Sequence, residues 1–335
     1  PGVYGILDNV PERIYESAAL ISFEVKPGLR SGAIPKVEFD CQLAAYLLNP
    51  GTRDLAIDEV ISRYLGIALG VQSEDLFDSG WQPVASAYLI DLRARLITEL
   101  EKFELLELFQ TLEMPTLHLL AEMERTGIAV DQNSLRALHE NFVKAEREAT
   151  AGAYAAAGKE FNVASPKQLQ SVLFEDLELP KTKRIKTGFS TDAESLEWLF
   201  AKTGHEVLRN LLRIREVSKL RTTIEGLQAT IASDGRIHTT FQQTVTATGR
   251  LSSTEPNLQN IPIRTEEGRK IRAAFVAAEP FVELMTADYS QIEMRIMAHL
   301  SEDAGLLKAF HEGEDLHSTV AAQVFGVARS DVDSE

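Results

Sequence analysis

Residues 286–295 of this 335-residue chain have the sequence Thr286-Ala287-Asp288-Tyr289-Ser290-Gln291-Ile292-Glu293-Met294-Arg295. The apolar-rich segment 281–285 before them predicts a buried strand, and the helical spacing of the apolar residues after them predicts a helix. Ser290 and Glu293 fit a capping box at the start of that helix. Asp288 would then lie where a strand ends and a helix begins, which suits a metal-binding carboxylate. The structural alternative is that Asp288 only closes a turn and Glu293 only caps the helix.

This segment resembles the first catalytic motif of family A DNA polymerases, the bacterial polymerase I type. A second pair of strings, Thr246–Ser253 (TATGRLSS) and Pro256–Pro262 (PNLQNIP), resembles the primer–template segment of the same family. The two motifs follow each other in the family's order and at its usual separation. The resemblance covers residues 37–329 well and is weak before them.

Composition limits the class of protein. A hydrophobic content of 44% in 335 residues is enough for two or three domains with real cores. The single cysteine, Cys41, excludes an intrachain disulfide and fits a reducing compartment. No apolar run approaches the roughly 18–20 residues of a membrane span, and no signal peptide opens the chain. Together with these features, the resemblance implies a cytoplasmic, bacterial, nucleoid-associated protein without a membrane.

The charge is unevenly distributed. The net charge of −16 argues against nucleic acid as a partner, but residues 161–280 carry 17 Lys and Arg against 14 Asp and Glu. This net-basic region contains the second motif. The acidic flanks are compatible with a metal site, although solubility explains them equally well.

The resemblance implies an α+β multidomain fold. Residues 1–110 would form a vestigial 3′–5′ exonuclease-like (ribonuclease H-like) α/β domain. Residues 111–232 would form the mostly helical thumb, and residues 233–335 the first part of a palm with an antiparallel sheet. The fingers and the rest of the palm are absent from the sequence given.

A working exonuclease of this type needs four carboxylates for two metals. The first Asp-x-Glu pair is absent, and no aspartate occurs between Asp8 and Asp40. Ala87 stands where the family has a tyrosine four residues before Asp91. We therefore expect a domain without proofreading activity, in which Asp40 and Asp91 are structural.

Helical patterns dominate residues 82–232. Between residues 82 and 126 the following residues recur at three- and four-residue steps: Leu92, Leu96, Leu100, Phe103, Leu106 and Phe109. Pro115 would break or kink this run, and Gly127 would end it. Asp131 can cap a second helix that continues to about Ala157, and the two helices would form an antiparallel pair.

Basic side chains follow in the outer thumb. Lys181–Gly188 is a basic loop, which indicates either phosphate contact or a solvated mobile loop. Thr191 and Glu194 fit another capping box, and a long helix is predicted from His205 to Ala232. By resemblance we expect the DNA backbone to contact the following residues: Lys167, Lys219 and Arg221. Such contacts give salt-sensitive affinity that is independent of sequence.

The second motif carries long polar donors in a loop. A polymerase must test base-pair geometry without reading sequence, and the minor groove offers acceptors in every correct pair. The resemblance implies that four side chains contact the primer–template there: Arg250, Asn257, Gln259 and Asn260. The structural alternative is that the amides satisfy the backbone of their own loop.

The first motif carries the chemistry. Two divalent cations about 3.5–4 Å apart can activate a primer hydroxyl and hold a triphosphate, and Mg²⁺ prefers oxygen ligands. We expect Asp288 to be a catalytic residue that bridges two Mg²⁺ ions, with the backbone carbonyl of Tyr289 as a second ligand. By resemblance, Gln291 and Glu293 lie at the incoming nucleotide, Glu293 against its sugar, and His317 approaches the triphosphate. His317 could also be an ordinary surface or core residue.

The family's second catalytic carboxylate follows a later histidine, beyond the sequence given. Asp303 and Asp315 lack its strand-and-turn context, so we expect this chain alone to be a catalytically incomplete fragment. The expected function of the parent is template-directed DNA synthesis by a monomer that binds primed double-stranded DNA and deoxynucleoside triphosphates. The alternatives are a DNA-binding module without chemistry, a 3′–5′ exonuclease, and a scaffold that does not contact nucleic acid.

Overall fold

A computed structural model describes residues 20–32, 37–52, 55–69, 82–263, 265–313, 316–328 and 332. They form two compact units that divide between Val282 and Glu283. Most of the regular structure is helical, and the strands form small sheets of two or three members. None of the helices in these ranges combines the length and apolar character that crossing a membrane requires.

The amino-terminal region, residues 20–102, packs around one stripe of leucines. Its elements are β1 (Ile21–Ser22), α1 (Lys26–Arg30), β2 (Phe39–Asp40), α2 (Cys41–Leu48), α3 (Ile57–Leu65), α4 (Gln82–Ser86) and α5 (Leu89–Lys102). Leu92, Leu96 and Leu100 of α5 are fully buried, as their spacing predicts. β1 and β2 pair in parallel. Within the described part of this region they are the only strands, so the predicted α/β character is limited to this pair.

The carboxylate of Asp40 has a structural role, as expected. One oxygen accepts a hydrogen bond from the amide of Leu43 at 3.0 Å, which caps α2, and the other accepts from Val25 at 2.8 Å. Burial raises the pKa of this carboxyl, although the hydrogen bonds act in the opposite direction. Asp91 lies in the first turn of α5 and is exposed.

The predicted helix over residues 82–126 is divided into three segments, of which α4 and α5 are the first two. α5 ends at Lys102, and Phe103, expected on the buried stripe, is 57% exposed. α6 (Leu106–Leu108) continues through a π-helical turn, Phe109–Glu113, into α7 (Met114–Thr126). Pro115 does not break this segment, because it occupies the first turn of α7 directly after the wider π turn.

Gly127 ends α7, as predicted, with a positive φ of 63° and its amide bonded to the carbonyl of Met123. The chain then forms β3 (Ile128–Val130), a strand that the helical pattern did not indicate. β3 lies between β6 (Arg236–Ile237) and β9 (Phe275–Val276) and is antiparallel to both. This sheet joins three segments that are far apart in the sequence.

The two long helices of the first unit pack against each other. They are α8 (Gln132–Ala157), capped by Asp131 as predicted, and α11 (Glu206–Ala229), capped by His205. The predicted pairing of the helix before Gly127 with the helix after it is therefore wrong. β3 separates those two helices, and the apolar face of α8 is buried against α11 instead.

Shorter elements surround this pair. They are α9 (Pro166–Ser171) with a π turn at Val172–Asp176, β4 (Arg184–Ile185), β5 (Gly188–Phe189) and α10 (Ala193–Thr203). β4 and β5 form a hairpin, so the basic segment predicted as a loop has regular structure. The predicted cap Thr191 is also wrong. Asp192 accepts the amide of Ser195 at 2.8 Å, because it stands directly before the first helical residue.

The remainder of the first unit contains a second hairpin. Its elements are β7 (Thr240–Gln242), β8 (Ser252–Thr254), the 3₁₀ helix Leu258–Asn260 and α12 (Glu266–Ala273). In the hairpin, Thr240 pairs with Thr254 and Gln242 with Ser252.

The second unit contains α13 (Ile292–Ser301), α14 (Ala304–His311) and α15 (Leu316–Phe325). The strand predicted over residues 281–285 is wrong, because no described residue pairs with this segment. Val282 and Met285 are 93% and 88% exposed. The capping box is also wrong, since Gln291, with a φ of 54°, precedes α13 without a side-chain cap.

Candidate nucleic-acid interface

The Arg250 segment, residues 243–262, carries the four side chains predicted to contact the primer–template. It contains the loop between β7 and β8, the strand β8 and the 3₁₀ helix. The four predicted side chains are all exposed: Arg250, Asn257, Gln259 and Asn260. Gln259 Nε2 donates to the carbonyl of Leu251 at 3.1 Å, which brings Gln259 against the residue after Arg250.

Internal hydrogen bonds fix the shape of this segment. Asn257 Oδ1 accepts from the amide of Gln259 at 2.9 Å, and Thr246 Oγ1 donates to the carbonyl of Arg250 at 2.6 Å. The structural alternative is therefore partly true, because Asn257 and Gln259 each satisfy one backbone group of their own loop. Their contribution to a ligand would come from the polar atoms that these bonds leave available.

Two buried hydroxyl groups form the base of the segment. Thr239 Oγ1 lies 2.7 Å from Ser253 Oγ and also contacts the carbonyls of Thr254 and Pro256. Ser253 Oγ accepts from the amide of Leu258 at 3.1 Å. Because both hydroxyls are buried, losing either one leaves backbone groups without a partner.

A second anchor holds the hairpin from the other side. Glu124 of α7 is 1% exposed, and its carboxylate accepts from the amide of Phe241 at 2.7 Å. Lys26 forms an ion pair with the same carboxylate at 2.5 Å and also donates to the carbonyl of Phe241. His238 Nδ1 lies 2.8 Å from the carbonyl of Glu124. The start of the hairpin is thus tied to α7 and to α1.

The predicted phosphate-binding side chains are placed differently. Lys167 on α9 and Lys219 on α11 are exposed, and among the described residues neither forms an ion pair. Arg221 is held between two carboxylates, with Nε 2.8 Å from Glu146 and Nη1 2.6 Å from Glu225. Its guanidinium therefore joins α11 to α8, and phosphate would have to compete with these carboxylates.

The basic hairpin β4–β5 carries four exposed cations. Lys183 pairs with Asp192 at 3.1 Å and with Glu194 at 3.5 Å, and Lys181 stacks on Phe189. Arg184 and Lys186 near the tip make no ion pair within the described residues. Only part of the charge predicted for this segment is therefore available to a ligand.

The second unit presents Asp288 as an exposed carboxylate. Tyr289 beside it is 79% exposed. Glu293 is exposed in the first turn of α13. Arg295 donates to the carbonyl of Ser290 at 2.9 Å and stacks on Phe310, which orders the turn between Asp288 and α13.

The sequence also singled out three later residues of this unit, which are Asp303, Asp315 and His317. The backbone of His317 lies in α15, and its side chain is outside the described residues, as is all of Asp315. Asp303 accepts the amide of Leu306 at 2.8 Å and caps α14, so it has a structural role, in agreement with its exclusion as a second catalytic carboxylate.

The donor set fits Mg²⁺ in part. The carboxylate of Asp288 and the carbonyl of Tyr289 are oxygen ligands of the type that Mg²⁺ prefers, but octahedral coordination needs six. Within the described ranges, no cluster of three or more His, Cys, Asp or Glu side chains is arranged to hold a metal. Further ligands would come from water, nucleotide phosphates or other parts of the protein.

Comparison with known proteins identifies the family. The sequence model of DNA polymerase family A matches residues 132–335, which is more than half of the chain. The chain belongs to DNA polymerase family A. The resemblance found in its two motifs is thereby confirmed.

Relatives of this family A chain agree with that assignment. It is 50% identical over 319 residues to DNA polymerase I of Mycobacterium tuberculosis, covering 91% of this chain and 35% of the relative. It is 44% identical over 312 residues to DNA polymerase I of Bacillus subtilis, covering 89% and 35%. The chain thus spans about a third of the length of the curated relatives that it matches.

A solved structure shares the fold of this family A chain. It is the POL domain of Pol1 from M. smegmatis, in a complex with DNA primer-template and dNTP. The TM-score is 0.81 with 52% sequence identity, over 89% of this chain and 51% of that one. The similarity supports a polymerase-type fold over the aligned 89% of this chain.

Sequence patterns did not indicate the residues that support the Arg250 segment. Glu124 is separated by 98 positions from Lys26 and by 117 from Phe241. No periodicity connects positions so far apart, and a glutamate on an amphipathic helix is normally exposed. The one available signal was that Glu124 falls on the buried face of α7, beside Leu117, Leu120 and Ala121.

Proposed function

We propose that the whole protein is a template-directed DNA polymerase and that this chain supplies its primer–template contacts and its first metal ligand. The observation that carries the proposal is the Arg250 segment. Its long polar side chains face solvent, and their backbone rests on the buried hydroxyls of Thr239 and Ser253. A rigid row of donors suits a partner whose shape, rather than sequence, is recognised.

In this proposal Arg250 and Gln259 donate to acceptors in the minor groove near the primer terminus, with Asn257 and Asn260 beside them. Purine N3 and pyrimidine O2 are present in every correct pair, so these donors would test geometry alone. Lys167 and Lys219 contact phosphates, and Arg221 does so only where a phosphate displaces its carboxylates.

Asp288 and the carbonyl of Tyr289 would hold Mg²⁺. When bound, the metal neutralises charge on the transferring phosphoryl group and activates the primer hydroxyl. Glu293 lies against the sugar of the incoming deoxynucleoside triphosphate, Gln291 lies near that nucleotide, and His317 approaches its triphosphate. The exposure of Asp288 and Glu293 supports this assignment, because both side chains can reach a ligand.

We further propose the division into an exonuclease-like domain (1–110), a thumb (111–232) and the first part of a palm (233–335). The protein would act as a monomer in the bacterial cytoplasm, associated with the nucleoid. A 3′–5′ exonuclease is disfavoured, because Asp40 is buried beneath two backbone amides and cannot reach a substrate. A module that binds DNA without chemistry remains the second candidate for this chain by itself, since its described carboxylates supply Mg²⁺ with only part of a site.

The test is duplex binding combined with primer extension. The 335-residue chain should bind a fluorescein-labelled primer–template, with an affinity that falls steeply as salt increases from 50 to 200 mM. Arg250→Ala should weaken binding roughly fivefold to a hundredfold, and Arg63→Ala, which removes an exposed arginine from α3, should not. The whole protein should extend the primer only with Mg²⁺ and the matching triphosphate. Equal binding by Arg250→Ala and wild type would contradict the proposed interface.

A further inference from the structure

The amino-terminal region contacts the Arg250 segment and its hairpin at two places. The first is Tyr46 of α2, a side chain that is 2% exposed. Its hydroxyl donates to the carbonyl of Thr246 at 2.7 Å, four residues before Arg250. Thr246 in turn donates its own hydroxyl to the carbonyl of Arg250 at 2.6 Å. Two hydrogen bonds therefore connect α2 to the backbone of Arg250.

The second contact is the buried carboxylate of Glu124. Lys26 and Arg30 of α1 approach it at 2.5 and 3.8 Å, and Arg30 also donates to Thr240 Oγ1 at 3.0 Å. Glu124 accepts the amide of Phe241, and Lys26 donates to the carbonyl of the same residue. The amide and the carbonyl of Phe241 in β7 are thus both held by one ion pair. The carboxylate of this pair is 1% exposed. Removing one member of such a pair leaves a buried charge, so the arrangement resists displacement.

We propose that Tyr46 and the Lys26–Glu124 pair are positioning residues for primer–template binding. The amino-terminal region would hold β7 and the Arg250 loop in the geometry that meets DNA. This inference rests on the proposed function of the Arg250 segment. It assigns Tyr46, Lys26 and Glu124 a role in DNA binding through the Arg250 loop.

The alternative is that Lys26 and Arg30 bind phosphate directly. Lys26 is largely buried, and its ammonium already contacts Glu124 and Phe241, so its positive charge is directed into the protein. A direct phosphate contact contributes about one unit to the slope of log K against log salt, and a positioning contact contributes none. The salt slope therefore separates the two mechanisms.

Tyr46→Phe is the decisive variant, because it removes one hydroxyl and keeps the buried ring. We expect the Kd for a primer–template duplex to rise roughly three- to tenfold with an unchanged salt slope. In the free chain, amides of residues 241–254 should exchange hydrogen faster than in the wild type. In an Arg250→Ala background the effect of Tyr46→Phe on Kd should shrink, because the tyrosine acts through that loop. Tyr88→Phe is the matched control, since within the described residues its hydroxyl makes no hydrogen bond.

Glu124→Gln is the second variant. It retains an acceptor for the amide of Phe241 and removes the ion pair. If thermal unfolding shows a folded chain, it should raise the Kd, leave the salt slope unchanged and speed hydrogen exchange, as Tyr46→Phe does. Failure of the wild-type chain to bind the duplex would overturn the proposed function and this inference with it. Normal wild-type binding with an unchanged Kd in Tyr46→Phe would overturn the inference alone, even if exchange were faster. A salt slope reduced by about one unit in Lys26→Met, with thermal unfolding showing a folded chain, would also overturn it, in favour of direct phosphate contact.

Discussion

Ser253 and Thr239 share a hydrogen bond of 2.7 Å between their hydroxyl oxygens, buried beneath the exposed side chains of the Arg250 segment. Thr239 precedes β7 and Ser253 lies in β8, so the bond crosses the hairpin at its base. The same two hydroxyls contact the carbonyl of Pro256 at 2.9 and 3.2 Å. This pair of small polar side chains therefore ties the base of the hairpin to the 3₁₀ helix.

Ser253→Ala should lower the free energy of unfolding by about 1–3 kcal/mol, because it leaves the amide of Leu258 without its acceptor. Ser252→Ala is the matched control. The hydroxyl of Ser252 is inaccessible to solvent and has no hydrogen-bond partner among the described residues, so its loss should be neutral or slightly stabilising. Urea unfolding of both variants measures the difference. Equal destabilisation by the two substitutions would contradict the role given to Ser253.

Lys219 and Arg221 should respond differently to substitution. Lys219→Ala removes an exposed charge that makes no ion pair within the described ranges, so duplex affinity should fall and the salt slope should decrease by about one. Arg221→Ala breaks contacts with Glu146 and Glu225 that join α11 to α8. It should lower the unfolding midpoint and leave the salt slope unchanged. Fluorescence anisotropy across a salt series measures the duplex affinity and its salt slope, and thermal unfolding measures the midpoint. A reduced salt slope for Arg221→Ala would show that this arginine reaches phosphate.

Asp288→Asn should separate catalysis from DNA binding. The carboxylate is exposed, so its loss should not change the unfolding midpoint or the Kd for the duplex. Loss of a metal ligand should reduce primer extension by the whole protein at least roughly a hundredfold, because metal stabilisation of the transition state is worth several kcal/mol.

Asp303→Ala is the contrasting variant in the same unit. It removes the cap of α14 and should cost about 1 kcal/mol of stability while primer extension persists. A fully active Asp288→Asn protein would refute the assignment of Asp288 as a metal ligand.

Asp192 makes the stability of the chain dependent on pH. Hydrogen bonds from Ser195, and then from Ser190, hold the pKa of this carboxyl well below its ordinary value of 3.8. A carboxyl with a lowered folded-state pKa stabilises the protein fully above its unfolded pKa, and this contribution is lost as pH falls towards the folded value. The difference in free energy of unfolding between wild type and Asp192→Asn should be constant above about pH 5 and shrink below pH 4. Urea unfolding at pH 7, 5, 4 and 3 provides the measurement, and a constant difference across this range would contradict it.

Local patterns predicted much of the fold. The three-and-four spacing of Leu92, Leu96 and Leu100 identified the buried face of α5, and Asp131 was correctly predicted to cap α8. These two predictions are confirmed because helix formation and capping depend on residues within a few positions of each other. The two long motifs identified the family, since many side chains must match in order.

Patterns failed where structure depends on distant partners. Apolar residues at 281–285 resemble a buried strand, but a strand forms only beside another strand, and no described residue pairs with them. For the same reason β3 was missed, because its partners β6 and β9 lie more than a hundred residues later. The support of the candidate site by Tyr46 and Glu124 was also beyond local reasoning, as these residues are 200 and 117 positions from their acceptor and donor.

The central position of β3 has a consequence for biosynthesis. Its two neighbours, β6 and β9, are translated long after it, and β9 ends at Val276. At about 5–20 residues per second, the ribosome would need roughly 7–30 s after β3 before the last strand emerges. The helices α8 and α11 can form from local contacts during this interval, whereas the sheet must wait for its final strand. We expect ribosome-bound chains that end before β9 to have folded helices and a protease-sensitive segment around Ile128–Val130.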